Sequence, residues 1–192
     1  MQLLKDNVAG IDGLDNARLA RLSPGGKHAL VTSADDDSLA VFGVDSQFRL
    51  RFLQVFKNDH NTRGLEGANA FVFSADGQRV YVQSYYDSAV VDFKYNPEGG
   101  YQLKQVISDE VSVTRIFKDE TPLGALDKLG LFGAYDIAIT ADNRQLFVAS
   151  VMSSALSVFD INADGSRLRG GECDCCFCQK LTRALSVYPI DW

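Results

Sequence analysis

The chain has 192 residues, of which 46% are hydrophobic, and its 25 acidic and 19 basic residues give a formal net charge of −6. This composition predicts a folded globular protein rather than a disordered chain. The charged residues are spread along the sequence without a basic patch that would neutralise a phosphate backbone, so we expect no nucleic-acid partner.

The N-terminal region does not have the pattern of a secretory signal peptide. Residues 1–6 lack its charged region, its long apolar stretch and its small-residue cleavage site. No apolar run in the sequence approaches the ~20 residues that a membrane-spanning helix needs. We therefore expect a soluble chain without a membrane partner, whose compartment the sequence leaves unassigned.

Three segments of the chain repeat one another without a gap, at residues 13–45, 64–96 and 130–162. Each segment opens with Gly-Leu-x-x-Ala and then runs through a short apolar stretch to a serine or threonine and a turn. The turns contain Gly-Gly, Asp-Gly or Asp-Asn, which tolerate the positive φ angles of tight hairpins. Internal repeats with a period of roughly 20 to 50 residues predict a solenoid or a propeller.

Strand-like residues follow each turn, in the same register in all three copies. The second strand reads Ala-Leu-Val-Thr-Ser, Val-Tyr-Val-Gln-Ser or Leu-Phe-Val-Ala-Ser, and the third strand contains Phe42, Phe93 or Phe159 at one shared position. A fourth strand is predicted at residues 48–56 and 101–107. Four short antiparallel strands make one propeller blade. We therefore predict an all-β fold of four-stranded antiparallel β-propeller blades.

A β-sandwich is the alternative all-β architecture. It would show similar strand lengths and similar turn residues. It would not repeat side-chain identity in register three times, so we favour the propeller. The extra residues between the second and third copies, at 108–128, are predicted to form a loop on one rim.

The repeats resemble the YVTN-type repeats of the bacterial lactonase-like β-propeller family. The resemblance rests on the second and third strands of each copy and on the Ser-x-Asp-Gly-type turn before them, and it covers about residues 1–169. It implies a propeller fold. Enzymes of that family, typified by a seven-bladed 6-phosphogluconolactonase, hydrolyse sugar lactones, whereas other members act as binding or surface proteins. No catalytic motif of the family maps onto this sequence, so the resemblance leaves the activity open.

The predicted domain organisation is an incomplete ring. Residues 1–169 are predicted to form three blades plus an N-terminal outer strand, because residues 2–7 are similar to the outer-strand region at 54–59. Residues 170–192 are predicted to form a Cys-rich tail or a partial fourth blade. A ring usually needs about four to eight blades. We therefore expect the exposed blade faces to drive self-association, to bind another protein chain, or to pack within a larger parent chain.

All four cysteines lie in one short segment, as Cys173, Cys175, Cys176 and Cys178. Thiolates at this density could bind zinc or copper, although the spacing is not that of a structural zinc site and adjacent strand residues point to opposite faces. The alternative is an atypical tail, either disulfide-bonded or produced by a disrupted reading frame. No other cofactor is predicted.

Tyr85, Tyr86 and Tyr135 are the candidate ligand-binding aromatic residues, because rings at a rim or in the central channel can stack on a sugar or on a protein side chain. Packing between blades explains them equally well. His60 is a candidate general base if a carboxylate and a substrate lie beside it, and it is otherwise a solvated loop residue. The three aspartates at 35–37 lack the spacing of a calcium loop and are interpreted as a solvated turn.

The functional prediction from these observations is a non-catalytic propeller module that binds a protein or another ligand. Sugar-lactone hydrolysis, with an active site at the central channel, is the alternative. The sequence contains no Gly-rich phosphate loop, nucleophile elbow or zinc-binding helix of the standard hydrolases. We therefore expect binding rather than catalysis.

Overall fold

The computed structural model describes residues 1–109, 113, 127–162 and 168–170, which contain three four-stranded antiparallel sheets. Blade 1 contains β1 (Ala17–Leu22), β2 (His28–Ser33), β3 (Ser38–Val44) and β4 (Leu50–Lys57). Blade 2 contains β5 (Ala68–Phe73), β6 (Arg79–Ser84), β7 (Ala89–Asn96) and β8 (Gly100–Ser108). Blade 3 contains β9 (Ala134–Ile139), β10 (Gln145–Ser150), β11 (Ala155–Ile161) and β12 (Leu168–Gly170). The predicted all-β fold of propeller blades is confirmed.

The hairpin between the first two strands is built in the same way in each blade. A hydroxyl oxygen at the start of the turn accepts a hydrogen bond from the backbone N–H of the first residue of the second strand. The three acceptor and donor pairs are Ser23 with His28 at 3.1 Å, Ser74 with Arg79 at 2.9 Å, and Thr140 with Gln145 at 3.0 Å. The turn residues Gly26, Gly77 and Asn143 have positive φ angles, as their residue types predict.

Apolar side chains from facing blades form the core. Leu30, Leu39 and Val41 of blade 1 pack with Phe71 and Val80 of blade 2, and all five are at most 2% exposed. A second cluster joins blades 2 and 3 in the same manner. Burial of one such side chain contributes roughly 1.5–3 kcal/mol, so each blade depends on its neighbour for stability.

The first strands of the blades line a common axis. Strand β1 contacts β5, and β5 contacts β9, so neighbouring blades meet along their innermost strands. This arrangement is a radial array rather than two sheets stacked as a sandwich. The three blades in the described part of the chain leave the ring open, and the prediction of an incomplete ring is confirmed.

The outward face of blade 3 is exposed. Leu156 and Val158 on β11 are 65% and 39% exposed. Their counterparts in register on β3, Leu39 and Val41, are 0% and 2% exposed because blade 2 covers them. Blade 3 therefore presents an apolar face of the kind that a further blade covers in the rest of the arc.

The opposite end of the arc is covered by the N-terminal segment. Ile11 is buried against Ala29, Ala40 and Phe42, and Leu4 packs on the same cluster. This contact covers the second, third and fourth strands of blade 1.

Residues 1–16 contain no strand, which differs from the predicted N-terminal outer strand. The side chain of Gln2 takes the part of a strand partner at one position only: its Nε2 donates to the Leu50 carbonyl at 2.8 Å, and its Oε1 accepts from the Leu50 N–H at 2.9 Å. One amide side chain satisfies a single residue of β4, whereas a strand would continue the ladder. The domain boundary at 169/170 stays a prediction, because residues 171–192 lie outside the described part of the chain.

A buried ion pair distinguishes blade 2 from the other blades. Asp92 on β7 is fully buried and bonds to Arg79 on β6, whereas blades 1 and 3 have Val41 and Val158 at the position of Asp92. Burial raises the pKa of Asp92, and the Arg79 guanidinium opposes that rise. The repeat therefore accommodates a charge at one interface by placing its partner on the adjacent strand of the same sheet.

In the described residues, no helix is long and apolar enough to cross a membrane.

The glycine that opens each repeat is required by both its backbone angle and its neighbours. Gly64 has a φ of +92°, and a Cβ atom there would lie 2.8 Å from Val106 Cγ1 and 3.0 Å from Val91 Cγ2. We predict that Gly64→Ala lowers the free energy of unfolding by about 2 kcal/mol, measured by urea denaturation.

Gly25→Ala is the matched control, because Gly25 has no heavy atom within 4 Å of the added Cβ and no positive φ. The control should change stability by less than about 0.5 kcal/mol. Equal effects of the two substitutions would contradict this account of the repeat.

Candidate functional site

A pocket lies where the first strands of the three blades meet. Its volume is about 310 Å³, and its lining includes one residue in register from each blade: Arg18, Asn69 and Tyr135. Each of these residues directly follows the alanine that opens the first strand of its blade. The pocket is therefore an axial site to which every described blade contributes.

Tyr85 and Tyr86 follow β6 and complete the aromatic wall of the pocket. Their ring centroids are 5.2 Å apart and the rings are perpendicular. Gly67, also in the lining, makes room for this wall, since a Cβ there would lie 2.4 Å from Tyr86 Cδ2. Tyr86 and Tyr135 are 42% and 56% exposed, so their rings are accessible to a ligand.

Tyr85 also has a packing role. It lies against the small buried cluster that contains Phe132, together with Met152. The structure thus brings the three predicted tyrosines into one pocket, with one ring supported by blade 3 and two rings accessible. Their role in ligand binding stays a prediction.

His60 lies apart from the tyrosines. It lines a separate hollow of about 430 Å³ with Asp59, Arg63 and Asp87, and the axial pocket does not share these lining residues. Asp59 is occupied by the backbone N–H groups of its own loop, at 2.7 Å and 2.8 Å. Two carboxylates therefore lie in the same hollow as His60, but the hollow is distinct from the aromatic wall.

Sequence reasoning interpreted the aspartates at 35–37 as a solvated turn and missed the hydrogen bonds that they form to other parts of the chain. Asp37 Oδ1 accepts from the Gly67 N–H at 2.7 Å and so holds the backbone of a pocket residue. Burial raises the pKa of Asp37, and the carboxylates of Asp87 and its two aspartate neighbours raise it further, while the Gly67 bond lowers it. Asp35 accepts from the Asn16 side chain at 2.8 Å.

Asp6, Asp12 and Asp36 offer oxygens close enough together to hold a metal ion. The Lys57 ammonium already lies among these carboxylates, 2.7 Å from Asp12 Oδ1 and 2.9 Å from Asp36 Oδ1. Asp12 and Asp36 raise the pKa of Lys57 in return. The cluster is therefore neutralised in part by the protein's own cation, and we assign no metal to it.

The predicted zinc or copper ligands, Cys173, Cys175, Cys176 and Cys178, lie outside the described residues, and that site stays a prediction. Sequence reasoning missed Arg18 and Asn69, because the repeat position that they share with Tyr135 has a different residue type in each blade. The signal that would have found them is their shared place after the strand-opening alanine.

A family model described as "Lactonase, 7-bladed beta-propeller" matches residues 15–173. A curated protein of Enterobacter sp. (strain 638) named 6-phosphogluconolactonase is 27% identical over 166 residues, which cover 85% of this chain and 45% of that protein. The chain thus spans about half the length of the curated relative it matches.

Two solved structures illustrate the likeness of fold. The Pseudomonas aeruginosa periplasmic gluconolactonase has a TM-score of 0.63 at 22% identity, and the match covers 81% of this chain and 39% of that one. A protein of Bacteroides uniformis ATCC 8492 has a TM-score of 0.63 at 20% identity, with 85% of this chain and 41% of that chain covered. At these identities the likeness shows the fold alone.

The comparisons contradict the prediction of a non-catalytic binding module. The matching family model is a lactonase model, and the curated relative is named for a lactonase activity. That prediction was wrong because it weighed the lack of a standard hydrolase motif as evidence against catalysis. The lactone-hydrolase alternative is better supported.

Lys57 forms ion pairs with Asp12 and Asp36. Burial by itself would raise the pKa of Asp36, but bonds from Lys57 and the Asp15 N–H outweigh it and lower the pKa below 3.8. This contribution to stability is present above pH 3.8 and is lost as the pH falls through the lower, folded-state pKa. We predict that Lys57→Met lowers the free energy of unfolding by about 1 kcal/mol at pH 7.

The same substitution should cost less near pH 3, because the favourable interaction of Lys57 with the Asp36 carboxylate is lost as that carboxyl takes up a proton. Urea denaturation at the two pH values measures both effects. Lys5→Met, at an exposed position, is the control and should have little effect at either pH. A loss for Lys57→Met that is equal at pH 3 and pH 7 would rule out the charge-based explanation.

Proposed function

The chain belongs to the lactonase family of seven-bladed β-propellers, and we propose that it contributes part of the active site of a sugar-lactone hydrolase. The observation that carries this proposal is the axial pocket, where Arg18, Asn69 and Tyr135 meet in register. A central site shared by several blades suits a ligand that is small relative to the ring. The names of the relatives supply the class of substrate.

Lactone hydrolysis places negative charge on the carbonyl oxygen as water attacks the ring carbonyl. A guanidinium and hydroxyl donors can stabilise that charge, and Arg18, Tyr86 and Tyr135 offer such groups in the pocket. The tyrosine rings can also stack on the apolar face of a sugar ring. Binding and charge stabilisation are therefore the roles that we assign to these residues.

A general base for the attacking water has to come from elsewhere. The pocket-lining residues in the described part of the chain include no carboxylate and no imidazole. Asp37 lies directly behind Gly67 in the pocket wall, and His60 and Asp87 line the neighbouring hollow. We propose that further blades of a completed ring bring the base to the open side of the pocket.

We also propose that association completes the ring, through a second copy, another protein chain or additional blades. The support is the exposed apolar face of blade 3 at Leu156 and Val158. Apolar faces of this kind are covered at both interfaces inside the described arc.

Hydrolysis of glucono-δ-lactone, followed by acid release at constant pH and corrected for the rate in buffer, tests the catalytic proposal. We predict that Arg18→Met lowers kcat/KM by about 100-fold, the scale expected for loss of one group that stabilises an oxyanion. Tyr135→Phe keeps the ring and should have a smaller effect, less than about tenfold.

Arg21→Met is the matched control for Arg18→Met, because Arg21 lies exposed on the same strand and does not line the pocket. It should leave the rate unchanged. The proposal fails if the assembled protein does not accelerate hydrolysis, or if the two arginine substitutions have equal effects.

Light scattering coupled to size-exclusion chromatography tests completion by a second copy. We predict a species with twice the 21.1 kDa mass of the chain, and we predict that Val158→Asp converts it to the single chain by charging the apolar face. Val151→Asp, at an exposed turn position, should leave the mass unchanged. A wild-type protein of 21.1 kDa would rule out self-association of the isolated chain.

A further inference from the structure

Side-chain hydrogen bonds cross both blade interfaces next to the axial pocket. Thr32 Oγ1 of blade 1 donates to the Asn69 carbonyl of blade 2 at 3.0 Å. Gln83 Nε2 of blade 2 donates to the Tyr135 carbonyl of blade 3 at 2.7 Å. Both acceptors belong to residues that line the pocket. Each interface thus fixes the main chain of the next pocket residue.

Thr32 and Gln83 occupy the same position of the repeat, directly before the serine that ends the second strand. Both are fully buried. The equivalent residue of blade 3 is Ala149, which is exposed and has no polar side chain. A polar side chain therefore occupies this repeat position in the two blades that have a following blade in the described structure, and it bonds to that blade.

The Tyr135 carbonyl has two donors from blade 2. Besides Gln83, the Asn69 side chain donates to it through Nδ2 at 2.8 Å. A carbonyl oxygen has two lone pairs, so two donors fix its direction more strongly than one. The backbone at Tyr135 is held while its ring stays 56% exposed in the pocket.

Stability alone does not explain a glutamine at position 83. Its Oε1 atom is buried and has no hydrogen-bond partner among the described residues. A buried acceptor without a partner destabilises the folded state, and an apolar side chain of the same length would avoid that cost. The Nε2 bond to Tyr135 is the contribution that an apolar residue would not make.

From this geometry we propose that Gln83 is a positioning residue, which holds the Tyr135 main chain across the interface between blades 2 and 3 and so keeps the Tyr135 ring in the pocket that Tyr85 and Tyr86 also line. Strand β6 ends at Ser84, directly before Tyr85, so one strand end leads into the aromatic wall and also carries the side chain that bonds to the Tyr135 main chain. The role in lactone binding rests on the proposed function. The positioning of Tyr135 does not.

Fluorine NMR of the full chain labelled with 3-fluorotyrosine tests the positioning directly, with Tyr135→Phe assigning the Tyr135 resonance. Gln83→Met removes the amide and keeps the length of the side chain. We expect it to shift or broaden the Tyr135 resonance without lowering the melting temperature by more than a few degrees. Gln83→Asn, which keeps the amide but shortens its reach, is a second variant and should shift the same resonance.

Thr32→Val is the matched control. It removes the equivalent bond at the other interface, which ends on Asn69 and not on Tyr135. Because the Asn69 side chain itself donates to the Tyr135 carbonyl, Thr32→Val should move the Tyr135 resonance less than Gln83→Met does. Binding of glucono-δ-lactone, measured by titration of the same spectra, should weaken by about fivefold in Gln83→Met, the effect of losing roughly one hydrogen bond of positioning.

The outcomes separate the two proposals. A Tyr135 resonance that does not move in folded Gln83→Met and Gln83→Asn overturns the positioning role. A shifted resonance with unchanged lactone affinity overturns the claim that this positioning serves the ligand. A shifted resonance in a protein whose wild type binds no lactone supports the positioning and refutes the proposed function.

Discussion

The structure depends on the contact between the faces of neighbouring blades. Each blade is a single sheet, and a sheet with two apolar faces is stable only when both faces are covered. The third strand of each blade shows this dependence. Leu39 and Val90 are fully buried by the next blade, whereas Leu156 is exposed because no further blade lies beside blade 3 in the described part of the chain. The axial pocket exists because these face contacts bring the first strands together.

The residues that depart from the repeat carry most of the chemistry. The three pocket positions hold Arg18, Asn69 and Tyr135, so a shared backbone place presents a cation, an amide and a phenol to one cavity. Asp92 departs from the valines of the other blades and keeps Arg79 beside it in the same sheet. The repeated backbone thus fixes where these side chains lie, and the residue types that differ between repeats provide the polar groups.

The blade architecture could be predicted from the sequence because it follows from local signals. The alanine of Gly-Leu-x-x-Ala is the first residue of β1, β5 and β9, and Phe42, Phe93 and Phe159 are all buried. These features depend on turn chemistry and alternation along one strand, which the sequence displays directly. The glycine that opens each Gly-Leu-x-x-Ala segment has the positive φ that its residue type predicts, at Gly13, Gly64 and Gly130.

The site was predictable only in part, because it forms between residues that are distant in the chain. Tyr85 and Tyr135 were chosen by residue type, but their meeting depends on the packing of blade 2 on blade 3. Arg18 could not be identified from the repeat, because the equivalent residues of the other blades are of different types. Gln83 has the sequence context of an ordinary strand residue, and only the structure shows its bond to Tyr135. Gln2 could not be predicted, since its side chain replaces a backbone partner.

Ile11 and Leu4 cover the outer face of blade 1, so the two ends of the arc differ in how much apolar surface they expose. The N-terminal segment covers three of the four strands of blade 1, whereas blade 3 exposes Leu156 and Val158 to water. We therefore expect a further blade to pack on the exposed face of blade 3 rather than on the covered face of blade 1. Since folding during synthesis generally starts from the N-terminus, we expect each new blade to pack on a blade that has already formed, which shortens the exposure of its apolar face to water.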